Sequence, residues 1–563
     1  MIRSTGRSGR RLAVAAAMLL TTVAAGCSSS SEDTAATTTS AVSSSTTAAT
    51  ADAGHTCDRK PAAEPVDAET VADAPSDRTI TSFDGTEIRI HWFPAPKASK
   101  TDPAPVVLMG PGWSQPGSTS LERSALFGAL GIGGLNDEGY NVLTWDPRGF
   151  GQSGGLATVD SPDEEGRDVE ILLDWVAEQP EVRLDRPGDA RVGMAGWSYG
   201  GGIQFVTAAQ DCRVDVLAPG IAWNSLITSL GKAQTFKEGW SGLLMSTAGA
   251  DNVDPQVNAA NAEGKQTGRI SQENQDWFAA RGPGEPTGLI DKVDVPTLLI
   301  QGTADTLFTL DEAISNYDAL RKRDIPVKML WFCGGHGSCL VDPGDPQSVT
   351  DATMAWFARY LRGDTTVDTG PALDVIDQDG TRWTGDAWPP KPAEPLTATG
   401  RGTLALKAEG GAGPSTKTPV AGDVVGMFAL KIMPGPATNS VDVAIEADAE
   451  TLIVGAPKLT LTYQGTVAAG ERPERVFAQL VDPTTGVVLG NQITPIEVTL
   501  DGQSHTTEVD LEVVAHHLAA GGSVTLQMVA TTVAYAQPRL GGTVDFTKIA
   551  IELPTTVALK ATT

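Results

Sequence analysis

Six histidines are available in this chain of 563 residues, and one of them, His336, stands in Cys333-Gly-Gly-His-Gly-Ser-Cys339, directly after an apolar run. An imidazole is the side chain best suited to take a proton from a hydroxyl near neutral pH. The matching hydroxyl is Ser198, inside Gly196-Trp-Ser-Tyr-Gly200. The surrounding Arg191–Gln204 stretch reads as a short apolar strand, a glycine-crowded turn and the start of a helix. A strand that reverses into a helix within one residue strains its central residue and requires neighbours two positions away to be nearly free of side chain. Asp305, in Ile300-Gln-Gly-Thr-Ala-Asp-Thr-Leu307, follows another apolar run and supplies a carboxylate. Such a carboxylate fixes the imidazole tautomer and stabilises the imidazolium. The predicted chemistry is acyl transfer: Ser198 attacks, His336 acts as base and then acid, and water hydrolyses an acyl-enzyme.

Competing residues are worse placed. Gly151-Gln-Ser-Gly-Gly155 repeats the pentapeptide pattern, but no apolar strand leads into Ser153, so it reads as a loop. His55 lies in or near a polar tether, His91 in an early hairpin, and His505, His516 and His517 in a later β-rich region. Asp294 precedes its strand and Asp311 already belongs to a helix. The developing oxyanion needs donors. One is the backbone N–H of Tyr199, at a helix N-terminus. The other comes from Gly110-Pro-Gly-Trp-Ser-Gln-Pro-Gly117, by position the N–H of Trp113, with Ser114 as the alternative.

These residues need a sheet to present them. Val106–Met109, Val142–Trp145, the run ending at Ala195, Val214–Ala218, Thr297–Ile300 and Val327–Phe332 are short apolar runs of the kind buried on both faces of a parallel sheet. Amphipathic helices over Glu165–Gln179, Gly201–Gln210, Leu310–Arg323 and Pro346–Leu361 alternate with them, and Thr79–Phe83 with Glu87–Phe93 reads as a hairpin. The order Ser198, Asp305, His336 along such an α/β chain is that of α/β-hydrolases. Residues 224–290 break the alternation, with helical pieces at Leu226–Met245 and Ser271–Arg281, and read as a cap inserted over the sheet. The catalytic domain is therefore placed at 73–368. From 369 to 563 short strands between turns, among them Val425–Ile432, Leu459–Tyr463, Val476–Val481 and Val524–Val529, predict an all-β sandwich.

The N-terminus reads as a targeting signal. Arg3, Arg7, Arg10 and Arg11 precede an apolar stretch over 12–25 that ends in Ala24-Ala-Gly-Cys27. Small residues before a cysteine resemble the lipobox of bacterial lipoproteins, so residues 1–26 are expected to be removed and Cys27 lipidated. That predicts an extracytoplasmic protein anchored to the bacterial cell membrane, with simple secretion as the alternative. Residues 27–72 are largely a Ser/Thr/Ala-rich tether. Four cysteines then remain. In an exported chain Cys333 with Cys339 and Cys57 with Cys212 are the candidate disulfides, with free thiols as the alternative. The formal net charge of −28 leaves no basic patch for a nucleic-acid partner. The oligomeric state is left open.

With these pieces assembled, the chain resembles the X-Pro dipeptidyl-peptidase and cocaine-esterase family of serine hydrolases. The resemblance is carried by Trp145-Asp-Pro-Arg-Gly-Phe-Gly-Gln-Ser153, Asp160-Ser-Pro-Asp-Glu-Glu-Gly-Arg-Asp168, Gly196-Trp-Ser-Tyr-Gly200, Gln301-Gly-Thr-Ala-Asp305, Asp379-Gly-Thr-Arg-Trp383 and Trp388-Pro389. It implies an α/β-hydrolase with a helical cap and a C-terminal jelly-roll sandwich. It also implies cleavage of ester or peptide acyl bonds in a small substrate without a cofactor, and no metal ligands are assigned. Peptidases and esterases of that family often place a tyrosine hydroxyl in the oxyanion loop. Here that loop has Gly112-Trp-Ser114, and the cap lacks an identifiable acidic pair for a substrate amine. The reading therefore leans to an esterase, with an X-Pro or other dipeptidyl or tripeptidyl aminopeptidase as the alternative. A non-catalytic binding lipoprotein that kept the fold is the reading from a different class.

Overall fold

The computed structural model describes residues 69–70, 77–125, 128–345, 347–419 and 429–562. The leader, Cys27, most of the tether and Cys57 lie outside the described residues, so the lipidation and the pairing of Cys57 with Cys212 fall there too. Among the described residues no helix is long and apolar enough to cross a membrane.

Apolar runs bounded by turns build one large sheet. In chain order the first strands are β1 (Glu69–Thr70), β2 (Asp77–Thr81), β3 (Glu87–Phe93), β4 (Val106–Gly110) and β5 (Asn141–Trp145). A two-stranded ribbon of β6 (Leu184–Arg186) and β7 (Asp189–Ala190) stands apart. Then come β8 (Val192–Trp197), β9 (Val214–Gly220), β10 (Thr297–Gly302), β11 (Val327–Phe332), β12 (Leu373–Ile376) and β13 (Arg382–Gly385). The spatial order is β1-β2-β3-β5-β4-β8-β9-β10-β11-β12-β13, closed at the far edge by Lys560–Thr562. Pairing is parallel from β5 to β12 and antiparallel at both ends. The chain reverses its direction of winding at β4, and in open α/β sheets ligands bind outside the strand ends at such a switch point.

The central strands are buried on both faces, which is why they read as continuous apolar runs. Val106 and Leu108 face one layer, with Leu172, Phe205, Leu217 and Tyr317. Val107 faces the other, with Leu135, Ala218, Leu330 and Phe357. The covering helices are α1 (Ile132–Asp137), α2 (Glu165–Ala177) and α3 (Tyr199–Gln210). Between β9 and β10 lie α4 (Leu226–Gly231), α5 (Glu238–Ala248), α6 (Pro255–Thr267) and α7 (Gln272–Ala279). Two more follow, α8 (Leu310–Arg321) and α9 (Ser348–Tyr360). The helical piece read at Leu226–Met245 is broken in two by a turn at Lys232–Gln234 containing Ala233 at φ +48°. Helix α6, rich in Asn, Gln and Ala, buries only Val257, Ala260 and Gly264, so its apolar stripe is too weak to mark a helix by pattern.

Beyond β13 the chain forms antiparallel sheets around a second apolar core of Ile445, Leu461, Val476, Leu526, Phe546 and Ile551. Two features depart from the sequence reading. The segment 373–385 and the last strand extend the main sheet rather than the sandwich, because β12 pairs in parallel with β11 through Met329–Leu373. Val425–Ile432 is not a strand where it is described: Leu430–Ile432 is a short 3-10 turn. Ala429, Leu430 and Ile432 pack with the inserted helices, in one cluster with Phe236 and Trp240, so their hydrophobicity records a layer contact and not a sheet, and residues 425–428 lie outside the described residues.

Candidate active site

Ser198 sits between β8 and α3 with φ +58° and ψ −114°, the strained turn expected of an elbow. Strain at such a residue persists only where its surroundings over-determine it. Here a Cβ on Gly200 would come within 2.0 Å of the Gly110 carbonyl oxygen, so glycine lets α3 press against the end of β4. The Gly201 and Gly202 amides donate to the Ser198 carbonyl at 2.8 and 3.0 Å, starting the helix at once.

His336 Nε2 lies 2.7 Å from Ser198 Oγ, and His336 Nδ1 lies 2.8 Å from Asp305 Oδ2. The three sequence-predicted residues therefore form one hydrogen-bonded line. His336 hangs in a loop closed by the Cys333–Cys339 disulfide, with Cα atoms 5.3 Å apart. A Cβ on Gly337 would meet the Ala304 carbonyl oxygen at 2.0 Å, so this loop and the Asp305 loop touch backbone to backbone. Phe308 and Trp240 stand edge-on to the imidazole at 5.0 and 5.6 Å between ring centres. Asp305 is fully buried, and its second oxygen, Oδ1, accepts the amides of Leu307 and Phe308 at 2.9 and 2.8 Å.

The two residues read as oxyanion donors are neighbours. Trp113 packs edge-on against Tyr199 at 5.2 Å. A turn with Trp113 and Ser114 at its corners is closed by the Gln115 amide on the Gly112 carbonyl, with Ser114 at φ +62°. The Trp113 indole donates to the Leu244 carbonyl at 3.0 Å, tying this loop to α5. The Tyr199 hydroxyl donates to Glu165 Oε1 at 3.0 Å and accepts the Asp160 amide at 3.2 Å. Burial, reinforced by the nearby Glu165 and Asp160, pushes that phenol well above its usual range.

Several supports had no signal in the sequence. Gln492 Nε2 donates to the Asp305 carbonyl at 2.6 Å, and Asn491 Nδ2 donates to the Ser338 carbonyl at 2.7 Å. Both come from the β-rich region and hold the acid and histidine loops from behind. Lys237, wholly buried, donates to the carbonyls of Thr306 and Leu307 at 3.0 and 3.1 Å. Ser153, set aside as a loop serine, donates to the Asp146 carbonyl at 2.7 Å and accepts the Arg89 amide at 2.8 Å, which is a structural role.

Ser198 opens on a pocket roofed by the inserted helices. Trp113, Leu226, Leu244, Met245, Ile270 and Phe308 are among its walls, Ser241 and Asn261 are its polar exceptions beside Ser198, and among the described residues no acidic or basic side chain lines it. Among the described residues no group of histidine, cysteine and carboxylate side chains is spaced to hold a metal ion.

Residues 84–338, which include Ser198, Asp305 and His336, match the family model of X-Pro dipeptidyl-peptidase (S15 family). A CocE/NonD family hydrolase from Staphylococcus aureus superposes with a TM-score of 0.60 at 13% identity, covering 85% of this chain and 93% of its own. An aminopeptidase from a marine-sediment Thaumarchaeota archaeon gives 0.63 at 12% identity, covering 88% and 99%. An α-amino acid ester hydrolase gives 0.58 at 15% identity, covering 88% and 98%. At these identities the likenesses show the fold. An uncharacterised 31.7 kDa protein of Escherichia coli, from the traX-finO intergenic region, is 32% identical over 89 residues. That match spans 16% of this chain and 29% of the relative's length. Residues 84–338 thus match the X-Pro dipeptidyl-peptidase (S15 family) model, and the chain is built on the α/β-hydrolase fold of these solved hydrolases.

Proposed function

We propose that the chain hydrolyses esters of uncharged, apolar acyl groups, with Ser198 as nucleophile, His336 as general base and then acid, and Asp305 orienting the imidazole. The observation that carries this reading is the hydrogen-bonded line Asp305–His336–Ser198 ending at the mouth of an uncharged, apolar pocket. In the first step the Ser198 proton passes to His336 Nε2 as Oγ attacks the carbonyl carbon. The amides of Tyr199 and Trp113 receive the oxyanion. Collapse expels the alcohol, which takes the proton from His336, and water repeats the sequence to free the acid.

The pocket walls favour an ester over a free peptide N-terminus. An α-ammonium group taken into this pocket would lose its hydration without meeting a carboxylate, and an unpaired buried charge is costly. Dipeptidyl or tripeptidyl aminopeptidase activity is the second reading, favoured by the family match. Anchoring through a lipid on Cys27 is part of the same proposal and is supported by the sequence.

The test has two arms. A fluorophosphonate probe should label the wild type and leave Ser198→Ala unlabelled. Equal labelling of both would remove Ser198 from the mechanism. A panel of p-nitrophenyl butyrate and hexanoate beside X-Pro and tripeptide anilides should show turnover of the esters. Cleavage confined to the anilides would overturn the ester reading while keeping the nucleophile.

A further inference from the structure

A buried lysine with no part in the mechanism above stands directly behind the carboxylate of the reacting line. Lys237 lies at the start of α5 and donates from Nζ to the carbonyl oxygens of Thr306 and Leu307, at 3.0 and 3.1 Å. Each of those carbonyls belongs to a peptide group whose other end is an N–H bound to Asp305. The Thr306 carbonyl is joined to the Leu307 amide, and the Leu307 carbonyl to the Phe308 amide. Both amides donate to Asp305 Oδ1, at 2.9 and 2.8 Å. Two consecutive peptide dipoles are thus clamped between an ammonium at their negative ends and a carboxylate at their positive ends.

From this geometry we propose that Lys237 is a positioning residue for the Ser198–His336–Asp305 line, acting through these two peptide groups to fix the Asp305 carboxylate and to set the pH at which His336 is free to act as a base. The proposal rests on the reading of that line given above. A carboxylate shut off from water needs compensating charge or donors to stay ionised. Aligned hydrogen bonds in a low-dielectric interior polarise one another, so an ammonium at one end strengthens the N–H groups at the other. The same positive charge opposes protonation of His336, which widens its active range towards acid.

The surroundings of Lys237 are built for a charge. The Tyr535 ring lies 5.6 Å from Nζ, within cation–π range. Glu512, from the β-rich region, Asp305 itself and Glu312, on α8, favour its ammonium form, while Lys232 opposes it. Glu512 in turn pairs with Lys232 at 2.6 Å, and Asp311 lies 3.4 Å from Lys232. Burial outweighs the favourable charges and draws the lysine down to about 8, which leaves it charged at neutral pH.

The experiment compares Lys237→Gln, which can donate but carries no charge, Lys237→Met, which does neither, and Lys237→Arg, which keeps the charge. The readout is kcat/KM for a p-nitrophenyl ester from pH 4.5 to 9. The lower inflection should move up by at least half a pH unit in Lys237→Gln and Lys237→Met, a loss of about threefold or more on the acid limb. It should stay at the wild-type position in a folded Lys237→Arg. A folded Lys237→Gln with the wild-type inflection overturns the proposal, whatever its overall rate. Should neither neutral variant fold, the wild type decides. The downfield proton resonance of His336 Nδ1–H should shift in a step between pH 7 and 9 as Lys237 loses its charge, and no step overturns the proposal. Ser198→Ala labelling tests the reacting line separately, so a failed line and a failed lysine are told apart.

Discussion

The Cys333–Cys339 bridge makes the position of His336 a matter of covalent constraint, and removing it has a calculable consequence. The bridge closes a ring over a sequence separation of six. Treated as loop-closure entropy, that ring is worth about 2.2 kcal/mol against the open chain at 25 °C. The figure bounds two effects of a Cys333→Ala/Cys339→Ala variant. If the whole of it is felt as local opening of the loop, the competent population and kcat/KM fall by about 40-fold. If it is felt only in global unfolding, the rate is unchanged and the urea midpoint falls. Contacts that remain oppose local opening: the Asn491 bond to the Ser338 carbonyl, the backbone packing at Gly337, and the rings of Trp240 and Phe308. The expected result is therefore a fall of a few-fold to 40-fold in p-nitrophenyl ester turnover with KM little changed, together with a lower urea midpoint. The assay pairs steady-state kinetics with the rate of phosphonate inactivation, which reports nucleophile competence without turnover. A variant matching the wild type in both rate and midpoint would refute the argument. So would a loss beyond a thousandfold, since a ring this small cannot supply it.

Two further outcomes follow from buried charge and pocket chemistry. Desolvation and the like charge of Glu165 hold Asp160 well above the usual carboxylate range. Its folded form therefore keeps a proton that the unfolded chain releases near pH ~4, and stability falls as pH rises through that interval. Asp160→Asn should raise the urea midpoint at pH 7.5, with the gain shrinking towards pH 4, and a gain independent of pH would contradict this. Met245, a pocket wall residue, offers the second test. Met245→Glu should raise KM for p-nitrophenyl hexanoate by about tenfold with kcat little changed, as for a lost uniform binding contact. An unchanged KM would place the acyl chain elsewhere.

What the sequence determined by itself was the local machinery. The glycines two positions either side of Ser198 announce a backbone that only a sharp turn needs, and Ser198 has φ +58°. Apolar runs without alternation mark strands covered on both faces, and the residues just after β8, β10 and β11 are the ones that meet. These signals are legible because each is written within about ten consecutive residues. Tertiary structure decided the rest. Gln492 reaches the Asp305 carbonyl across 187 positions, and the contact has no counterpart in the residues around either partner. Lys237 reads as an ordinary helix-start lysine until its ammonium is seen to end on two carbonyls beside Asp305. The apolar turn around Leu430–Ile432 looked like a strand because hydrophobicity reports burial and not the kind of neighbour that causes it. The described walls of the pocket are uncharged because residues of α4, α5, α6 and α7 converge on it, and their convergence depends on how those helices pack. Local pattern thus placed the candidate reacting groups, and long-range packing shaped the pocket they face.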